Sequence, residues 1–184
     1  MKYPDPTVIV LASGQGARFA ASGGVGSKLQ ARLGVKTVLE HTLDAVRASG
    51  LPWHLEDGGH PGMGDSIAAA VRATAQSQGW LILPGDLPLI QADTLRRVAT
   101  ELAQHEVVLP FYQGQRGHPV GFGAACGVAL MGLSGAGGAS SVLRRFAALA
   151  LDVHDAGSVI DVDTMDDLQA AERQLCRDAA NQVR

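Results

Sequence analysis

The stretch Thr7-Val8-Ile9-Val10-Leu11-Ala12, followed directly by Ser13-Gly14, decides the fold class of this chain. Its first six residues are almost all apolar and rich in β-branched side chains, which is typical of a strand buried on both faces in a parallel sheet. The following stretch, from residue 13 to residue 27, is rich in glycine and poor in large apolar side chains, and predicts a loop. We therefore expect a buried strand that opens into a glycine-rich loop at its carboxyl end.

Further apolar runs alternate with helical patterns along the chain. The runs predict strands at residues 53–55, 80–83, 107–109, 120–122 and 159–160. The helical patterns lie at 38–46, 65–76, 94–104, 140–149 and after Thr164, which we expect to cap the last helix. This alternation predicts an α/β fold, a three-layer α/β/α sandwich around a Rossmann-like, mostly parallel sheet. No internal repeat or linker is visible, so we expect one domain over residues 1–184.

Composition excludes several classes of function. The net charge is −3 with a pI near 6.0, and no basic stripe of the kind that binds a nucleic-acid backbone is visible. The two cysteines, Cys126 and Cys176, fit neither a disulfide framework nor a zinc pattern. No apolar run at the N-terminus is long enough for a signal peptide or a membrane span. We expect a cytoplasmic protein that binds neither nucleic acid nor membrane.

The glycine-rich loop is a candidate phosphate-binding site. Glycines such as Gly14 and Gly16 let backbone N–H groups approach phosphate oxygens closely, and Arg18 and Lys28 supply positive charge. The loop lacks the third glycine of the dinucleotide fingerprint, and the order Gly26-Ser27-Lys28 is wrong for a P-loop. An ordinary flexible connection with two solvated charges remains the alternative.

Two acidic motifs are candidates for a metal site. Asp86 directly follows a buried strand and is held between Pro84 and Pro88, so it is aimed at the ligand edge of the sheet. Magnesium prefers one or two carboxylates together with phosphate oxygens. In Asp161-Val162-Asp163 we expect only one carboxylate to face the site, with Asp161 as the preferred second ligand and Asp163 as a structural residue. The alternative for Asp86 is a turn aspartate that caps a backbone N–H.

Two further stretches are candidates for substrate contacts. His118 lies in a polar, glycine-rich stretch between predicted strands and is a candidate contact for an acceptor phosphate, without an acid–base role. Gly64 and Ser66 open a predicted helix, capped by Asp65 or Ser66, and are candidates for binding a nucleobase or ribose. The alternative for these residues is structural hydrogen bonding and plain helix capping.

These motifs resemble those of the molybdopterin nucleotidyltransferase-like family, most closely its cytidylyltransferase branch. The stretch Leu11-Ala12-Ser13-Gly14, with Arg18 and Lys28, looks like that family's triphosphate loop. Gly85-Asp86-Leu87-Pro88 looks like its magnesium motif. Gly117-His118-Pro119-Val120 resembles its acceptor-side motif, and Asp161-Val162-Asp163-Thr164 its closing motif. The resemblance spans nearly the whole chain and keeps the order of the motifs.

The resemblance implies a fold of the nucleotide-diphospho-sugar transferase type, Mg²⁺ as cofactor, and transfer of a nucleoside monophosphate from a nucleoside triphosphate. The acceptor would be a phosphorylated small molecule such as the molybdopterin cofactor, with pyrophosphate released. Ser13 stands where the guanylyl branch typically has glycine, which favours CTP. The resemblance also implies nucleotide contacts from Leu11 through Gly14, and acceptor contacts from His118 and Pro119.

Two departures from the family pattern keep other functions open. Only twelve residues, from Leu51 to Gly62, separate the first predicted helix from Met63, which is about one strand–helix unit fewer than the family usually has there. Ala136 stands where the family has the aspartate of a Gly-Asp-x-Gly-Ala stretch. Both favour a non-catalytic accessory protein that hands cofactor to a molybdoenzyme. A transferase of the same fold with another acceptor is the second alternative.

Overall fold

A seven-stranded sheet forms the centre of the protein in a computed structural model that describes residues 5–14 and 16–182. The described residues form nine strands, of which seven belong to this sheet. The strands are β1 (Thr7–Leu11), β2 (Arg32–Leu33), β3 (Lys36–Thr37), β4 (Trp53–Glu56), β5 (Gly79–Pro84), β6 (Val107–Tyr112), β7 (Gln115–Arg116), β8 (Val120–Gly123) and β9 (Ala148–Asp152). The central order is β4-β1-β5-β8-β6-β7, and β9 pairs with β6, while β2 and β3 form a separate small hairpin.

Five of the central strands share one direction. β1 is parallel to β4 and to β5, and β9 is parallel to β6. β8 runs antiparallel between β5 and β6, which leaves β5 and β6 pointing the same way. The mostly parallel sheet predicted from the sequence is confirmed, and the carboxyl ends of β1 and β5 lie side by side because Leu11 pairs with Pro84.

Helices cover both faces of the sheet. They are α1 (Ala17–Ala21), α2 (Val38–Ser49), α3 (Met63–Ala73), α4 (Ala92–Glu101), α5 (Gly127–Met131), α6 (Ser140–Leu143) and α7 (Met165–Gln182). Side chains of β1 alternate between the two layers, with Val8 and Val10 in one hydrophobic cluster and Ile9 in the other. The first cluster includes residues of α2, α4 and α7, and the second includes residues of α3 and α5. The predicted three-layer sandwich is therefore confirmed.

The helix from residue 38 is delimited by local sequence signals. Thr37 accepts a hydrogen bond from the Glu40 N–H, and the Glu40 carboxylate accepts one from the Thr37 N–H, which completes a capping box at the start of α2. Gly50 ends the helix with φ of +75°, a left-handed conformation that glycine adopts without steric cost. The predicted helix is therefore confirmed.

The predicted helix over residues 140–149 is wrong. Helical structure in this stretch covers only Ser140–Leu143, and Ala148–Asp152 forms β9, which pairs with β6 from Val107↔Ala148 onward. Leu149 and Leu151 are the half-buried positions of β9 and alternate with exposed residues, which is the period of a strand. The apolar pattern of these few residues fits the period of a helix as well as that of a strand, and pairing with β6 selects the strand.

The prediction that Asp65 or Ser66 caps the third helix is also wrong. The helix α3 begins at Met63 after Gly62, which caps it without a side-chain hydrogen bond. Asp65 instead accepts a hydrogen bond from the Gly135 N–H, and Ser66 contacts Ser13 and the Gly62 carbonyl. The Asp65 and Ser66 side chains, which the local sequence suggests as helix caps, thus make tertiary hydrogen bonds instead.

The stretch between β6 and β8 contains a tight hairpin. Gln113 and Gly114 have φ of +49° and +82°, and β6 pairs with β7 on either side of them. Two left-handed residues are typical of a two-residue hairpin turn, and Gly114 adopts this conformation without the steric cost that a Cβ would bring.

Within the described part of the chain, no helix combines the length and apolarity needed to cross a membrane.

Candidate active site

A cleft of about 850 Å³ opens at the carboxyl ends of β1 and β5. The predicted site residues on its wall are Leu11, Ser13, Gly14, Arg18, Lys28, Ser66, Asp86, Asp161 and His118. The predicted residues Ala12, Gly16, Gly64 and Pro119 lie beside these but do not line the cleft. The three motifs that the sequence places at strand ends thus meet in one cavity, as expected for a ligand site of an open α/β sheet. The predicted strand at residues 159–160 is wrong, however, because Asp161 follows a 3₁₀ turn, Ala156–Ser158, instead of a strand.

The loop after β1 supplies one wall of the cleft. Ser13 and Gly14 line it, and Gly14 has open space where a Cβ would stand, so a ligand can approach its backbone. Gly16 has φ of +61° and precedes α1, which carries Arg18. The neighbouring Gln15 lies outside the described residues.

Lys28 is the central cation of the cleft. It begins a short 3₁₀ turn, Lys28–Gln30, that Leu29 anchors in the core. The Lys28 Nζ donates to the Asp86 Oδ2 and to the Asp163 Oδ1, each at 2.6 Å. Burial alone would lower the pKa of Lys28, but the hydrogen bonds to Asp163 and Asp86 outweigh it and raise that pKa above its ordinary value. The lysine is therefore positively charged at neutral pH.

Three aspartates share one corner of the cleft. Asp86 follows β5, and ligand oxygens of Asp86, Asp161 and Asp163 all lie within 4.8 Å of one another. The prediction that only one carboxylate of the 161–163 segment faces the site is wrong. Residues two positions apart in an extended segment point to the same side. Val162 between them is fully buried and donates its N–H to the Asp86 carbonyl at 2.9 Å.

The carboxylates differ in their electrostatic surroundings. Burial raises the pKa of Asp161, and the negative charges of Asp163 and Asp86 raise it further. Burial would also raise the pKa of Asp163, but hydrogen bonding and charge from Lys28, with the charge of Arg18, hold it below its ordinary value. Arg18 lies 2.6 Å from Asp163 while its own side chain is 75% exposed. The second carboxylate oxygen of Asp86, Oδ1, is buried without a hydrogen-bond partner in the described residues.

His118 lines the cleft just before β8. Its backbone N–H donates to the Ser158 carbonyl at 2.8 Å, and Gly117 packs so closely on Ser158 that a Cβ would stand 2.6 Å from the same oxygen. Burial lowers the pKa of His118 below its ordinary value, although the charge of Asp86 partly opposes this. The imidazole is therefore neutral near pH 7, and its Nδ1 has no partner among the described residues.

A second glycine-rich loop closes the far side of the cleft. Residues 136–140 line it, and the Gly64 N–H donates to the Gly135 carbonyl at 2.8 Å. At Gly64 a Cβ would lie 2.8 Å from the Ser134 carbonyl oxygen, so glycine allows α3 to contact this loop. Ala136 presents a methyl group to the cleft where the family motif has a carboxylate.

Some cleft residues were not identified from the sequence. Asp163 joins the carboxylate cluster, and its spacing of two from Asp161 is the signal that would have found it. His60 also lines the cleft, with its Nε2 3.3 Å from Oε1 of the buried Glu56 at the end of β4. Its place after a strand of the same sheet edge was the available signal.

The chain matches the family model of the MobA-like NTP transferase domain over residues 45–151, which is more than half its length. The chain belongs to this family. No curated protein matches it by sequence. This MobA-like domain therefore shares the nucleotidyltransferase framework that its motifs resemble.

Solved structures share the fold of this MobA-like domain. Rv0371c from Mycobacterium tuberculosis H37Rv is 23% identical with a TM-score of 0.76, over 94% of this chain and 100% of that one. The manganese complex of Rv0371c is 22% identical with a TM-score of 0.70 and the same coverage. Molybdopterin-guanine dinucleotide biosynthesis protein A from Archaeoglobus fulgidus is 18% identical, with a TM-score of 0.67 over 93% of this chain and 99% of that one.

The carboxylate corner of this MobA-like domain fits a hard divalent cation. The ligand oxygens of three aspartates lie within 4.8 Å of one another, and one buried oxygen of Asp86 has no hydrogen-bond partner in the part of the chain that the structure describes. Carboxylate oxygens are the donors that Mg²⁺ and Mn²⁺ prefer, and no soft ligand lies in the cluster. Lys28 contacts both this corner, through Asp86, and the glycine loop, at Gly16, while Arg18 pairs with Asp163.

Proposed function

We propose that this protein is a Mg²⁺-dependent nucleotidyltransferase. It transfers a nucleoside monophosphate from a nucleoside triphosphate, with CTP favoured, to a phosphorylated acceptor such as the molybdopterin cofactor, and releases pyrophosphate. The observation that carries the proposal is the convergence of the glycine loop, Lys28 and Asp86 with two further carboxylates in one cleft. The family and the fold support the same class of reaction.

The triphosphate is proposed to lie along the loop that begins at Ser13. Backbone N–H groups at Gly14 would bind phosphate oxygens, and Lys28 and Arg18 would neutralise the charge on the leaving pyrophosphate. Leu11 and Ser66 would contact the nucleoside, while Ala12, Gly16 and Gly64 would shape the wall from behind. Asp86 with Asp161 and Asp163 would hold the cation, which neutralises phosphate charge and orients the phosphates when bound.

The acceptor is proposed to enter from the side of His118. The imidazole is neutral, and its Nδ1 is buried without a partner among the described residues, so it would hydrogen-bond a phosphate hydroxyl or another polar group of an acceptor that reaches it. Pro119 fixes the backbone behind it. The acceptor's phosphate oxygen would attack the α-phosphorus in line, so the protein contributes positioning and electrostatic stabilisation without a covalent intermediate.

Pyrophosphate release tests the proposal directly. The protein is incubated with each of the four nucleoside triphosphates, with and without a molybdopterin-type acceptor, in Mg²⁺ or in excess chelator. We expect acceptor-dependent pyrophosphate release that requires the cation and is fastest with CTP. Release that is independent of the acceptor, or binding of the acceptor without any triphosphate binding, would contradict a transferase.

A second candidate is a non-catalytic accessory protein that passes cofactor to a molybdoenzyme. Ala136 favours it, because the cleft carries a methyl group where the family motif supplies a carboxylate. The single strand β4 between α2 and α3 also leaves a smaller wall near the nucleoside position. Such a protein would bind the acceptor in the absence of triphosphate. In either role we propose a cytoplasmic protein, in keeping with its free cysteines, Cys126 and Cys176.

A further inference from the structure

The basic and acidic groups of the cleft are paired with each other. Lys28 Nζ lies 2.6 Å from both Asp86 and Asp163, and its side chain is only 12% exposed. Arg18 contacts the remaining oxygen of Asp163. The cations that would hold a triphosphate are therefore bound to the carboxylates that would hold a metal ion.

This pairing makes the binding free energy less favourable for a divalent ion or a triphosphate that binds without the other. A free divalent ion would share Asp86 and Asp163 with the Lys28 ammonium and would be repelled by it at close range. A free triphosphate would draw Lys28 away and leave three carboxylates within 4.8 Å of one another without that cation. When both arrive together, each takes the partner that the other displaces, so neither set of charges is left uncompensated.

We propose that Lys28 couples the two ligands: its ammonium neutralises the carboxylate corner when no ligand is bound, and it moves from the carboxylates to the phosphates as the divalent ion and the triphosphate bind. This inference rests on the proposed function and names the residue through which each ligand favours binding of the other. The two ligands are then positively coupled through a lysine that touches both subsites, and the coupling is reciprocal.

Lys28 rather than Arg18 carries this coupling. The Arg18 guanidinium is 75% exposed, and ion pairs at that exposure are weak because water screens them. Lys28 is largely buried, bridges two carboxylates, and sits beside the glycine loop, where its Cγ and Cβ lie 3.7 and 3.8 Å from the Cβ position of Gly16. Its flexible four-carbon stem lets the ammonium change partners without backbone movement.

Mn²⁺ binding without nucleotide provides the decisive test. The affinity for Mn²⁺ alone is measured by calorimetry for the wild type, for Lys28→Met, and for Lys36→Met as the control. Lys36 pairs with Asp44 on the surface, in an ion pair 48% and 40% exposed. We expect Lys28→Met to bind Mn²⁺ about tenfold more tightly than the wild type, because a competing charge is removed, and Lys36→Met to be unchanged. Equal or weaker binding by Lys28→Met overturns the proposal.

The second measurement uses inorganic tripolyphosphate, which carries no nucleobase. We expect the wild type to bind it at least about tenfold more tightly with Mn²⁺ than without, and Lys28→Met to lose most of this difference. Equal affinity of the wild type with and without Mn²⁺ overturns the coupling. Acceptor-dependent pyrophosphate release from a nucleotide by that same protein would still support the proposed function, so the two failures are distinguishable.

Thermal unfolding shows whether the Lys28 variants are folded and whether Mn²⁺ stabilises them. Removing Lys28 leaves a carboxylate cluster without its buried cation, so Lys28→Met is expected to melt below the wild type without metal. We expect Mn²⁺ alone to raise its melting temperature more than that of the wild type, since ligand stabilisation follows affinity. Lys28→Gln repeats the measurement with a polar side chain of similar length. A smaller Mn²⁺ shift in both variants than in the wild type overturns the proposal.

Discussion

The Ser13 Oγ lies 3.0 Å from the Ser66 Oγ and joins the loop after β1 to the first turns of α3 across 53 positions of sequence. Ser66 is buried and also contacts the Gly62 carbonyl. The residue at which the resemblance separates two branches of the family is thus also a structural link between two walls of the cleft. Its exchange for glycine would remove this hydrogen bond.

A double-mutant cycle measures that link. We expect Ser13→Ala to lower the free energy of unfolding by about 1 kcal/mol, the typical net value of one hydrogen bond, and Ser66→Ala by somewhat more. The double variant should lose less than the sum of the two, because both single variants remove the same bond. Urea unfolding of the four proteins gives the coupling energy, and strictly additive losses would show that the two hydroxyls do not interact.

Asp86 is expected to be essential for turnover. Asp86→Asn keeps the shape of the side chain but removes a charge from the carboxylate corner, and should lower pyrophosphate release at least about 100-fold. Asp93→Asn is the control, because Asp93 is exposed and its carboxylate pairs with Arg96 on the surface, away from the carboxylate corner. Both variants are checked for folding by circular dichroism. Full activity of Asp86→Asn would contradict the proposal that Asp86 is a ligand of the divalent cation.

Gly64 is expected to hold the second glycine-rich loop against α3. A helix-interior alanine normally gains up to about 1 kcal/mol over glycine, but Gly64→Ala places a Cβ 2.8 Å from Ser134 and should cost about 1–3 kcal/mol instead. Gly132→Ala is the matched control, since its nearest contact there is an ordinary 3.5 Å. Thermal melting of both variants distinguishes close packing from propensity; a more stable Gly64→Ala would refute the contact.

The two cysteines are expected to differ in reactivity. Burial, with a smaller effect of the Glu106 charge, raises the pKa of Cys126 to about 11, whereas Cys176 is exposed on α7. Because the thiolate is the reactive form, iodoacetamide at pH 8 should label Cys176 in the native protein and Cys126 only after unfolding. Mass spectrometry of labelled peptides gives the result. Equal labelling of both native thiols would show that Cys126 is accessible.

The sequence predicts an element correctly where its local apolar pattern matches the burial of that element in the fold. The apolar run of β1 and the strand before Asp86 were predicted because a fully buried parallel strand needs apolar side chains on both faces. Thr164 was predicted to cap the last helix, and its side chain indeed accepts the Asp167 N–H while the Asp167 carboxylate accepts from Thr164. These interactions span at most a few residues, so the local sequence contains them.

The sequence by itself determined the layers of the fold, the glycine loop and the strand-end position of Asp86, because each depends on periodicity or on the residue that follows a buried strand. Only the tertiary structure decided that Asp163 joins Asp86 around Lys28, that residues 148–152 form a strand, and that Ser66 contacts Ser13. Such contacts join residues far apart in the chain, and their geometry is fixed when the two hydrophobic clusters pack the elements against the sheet.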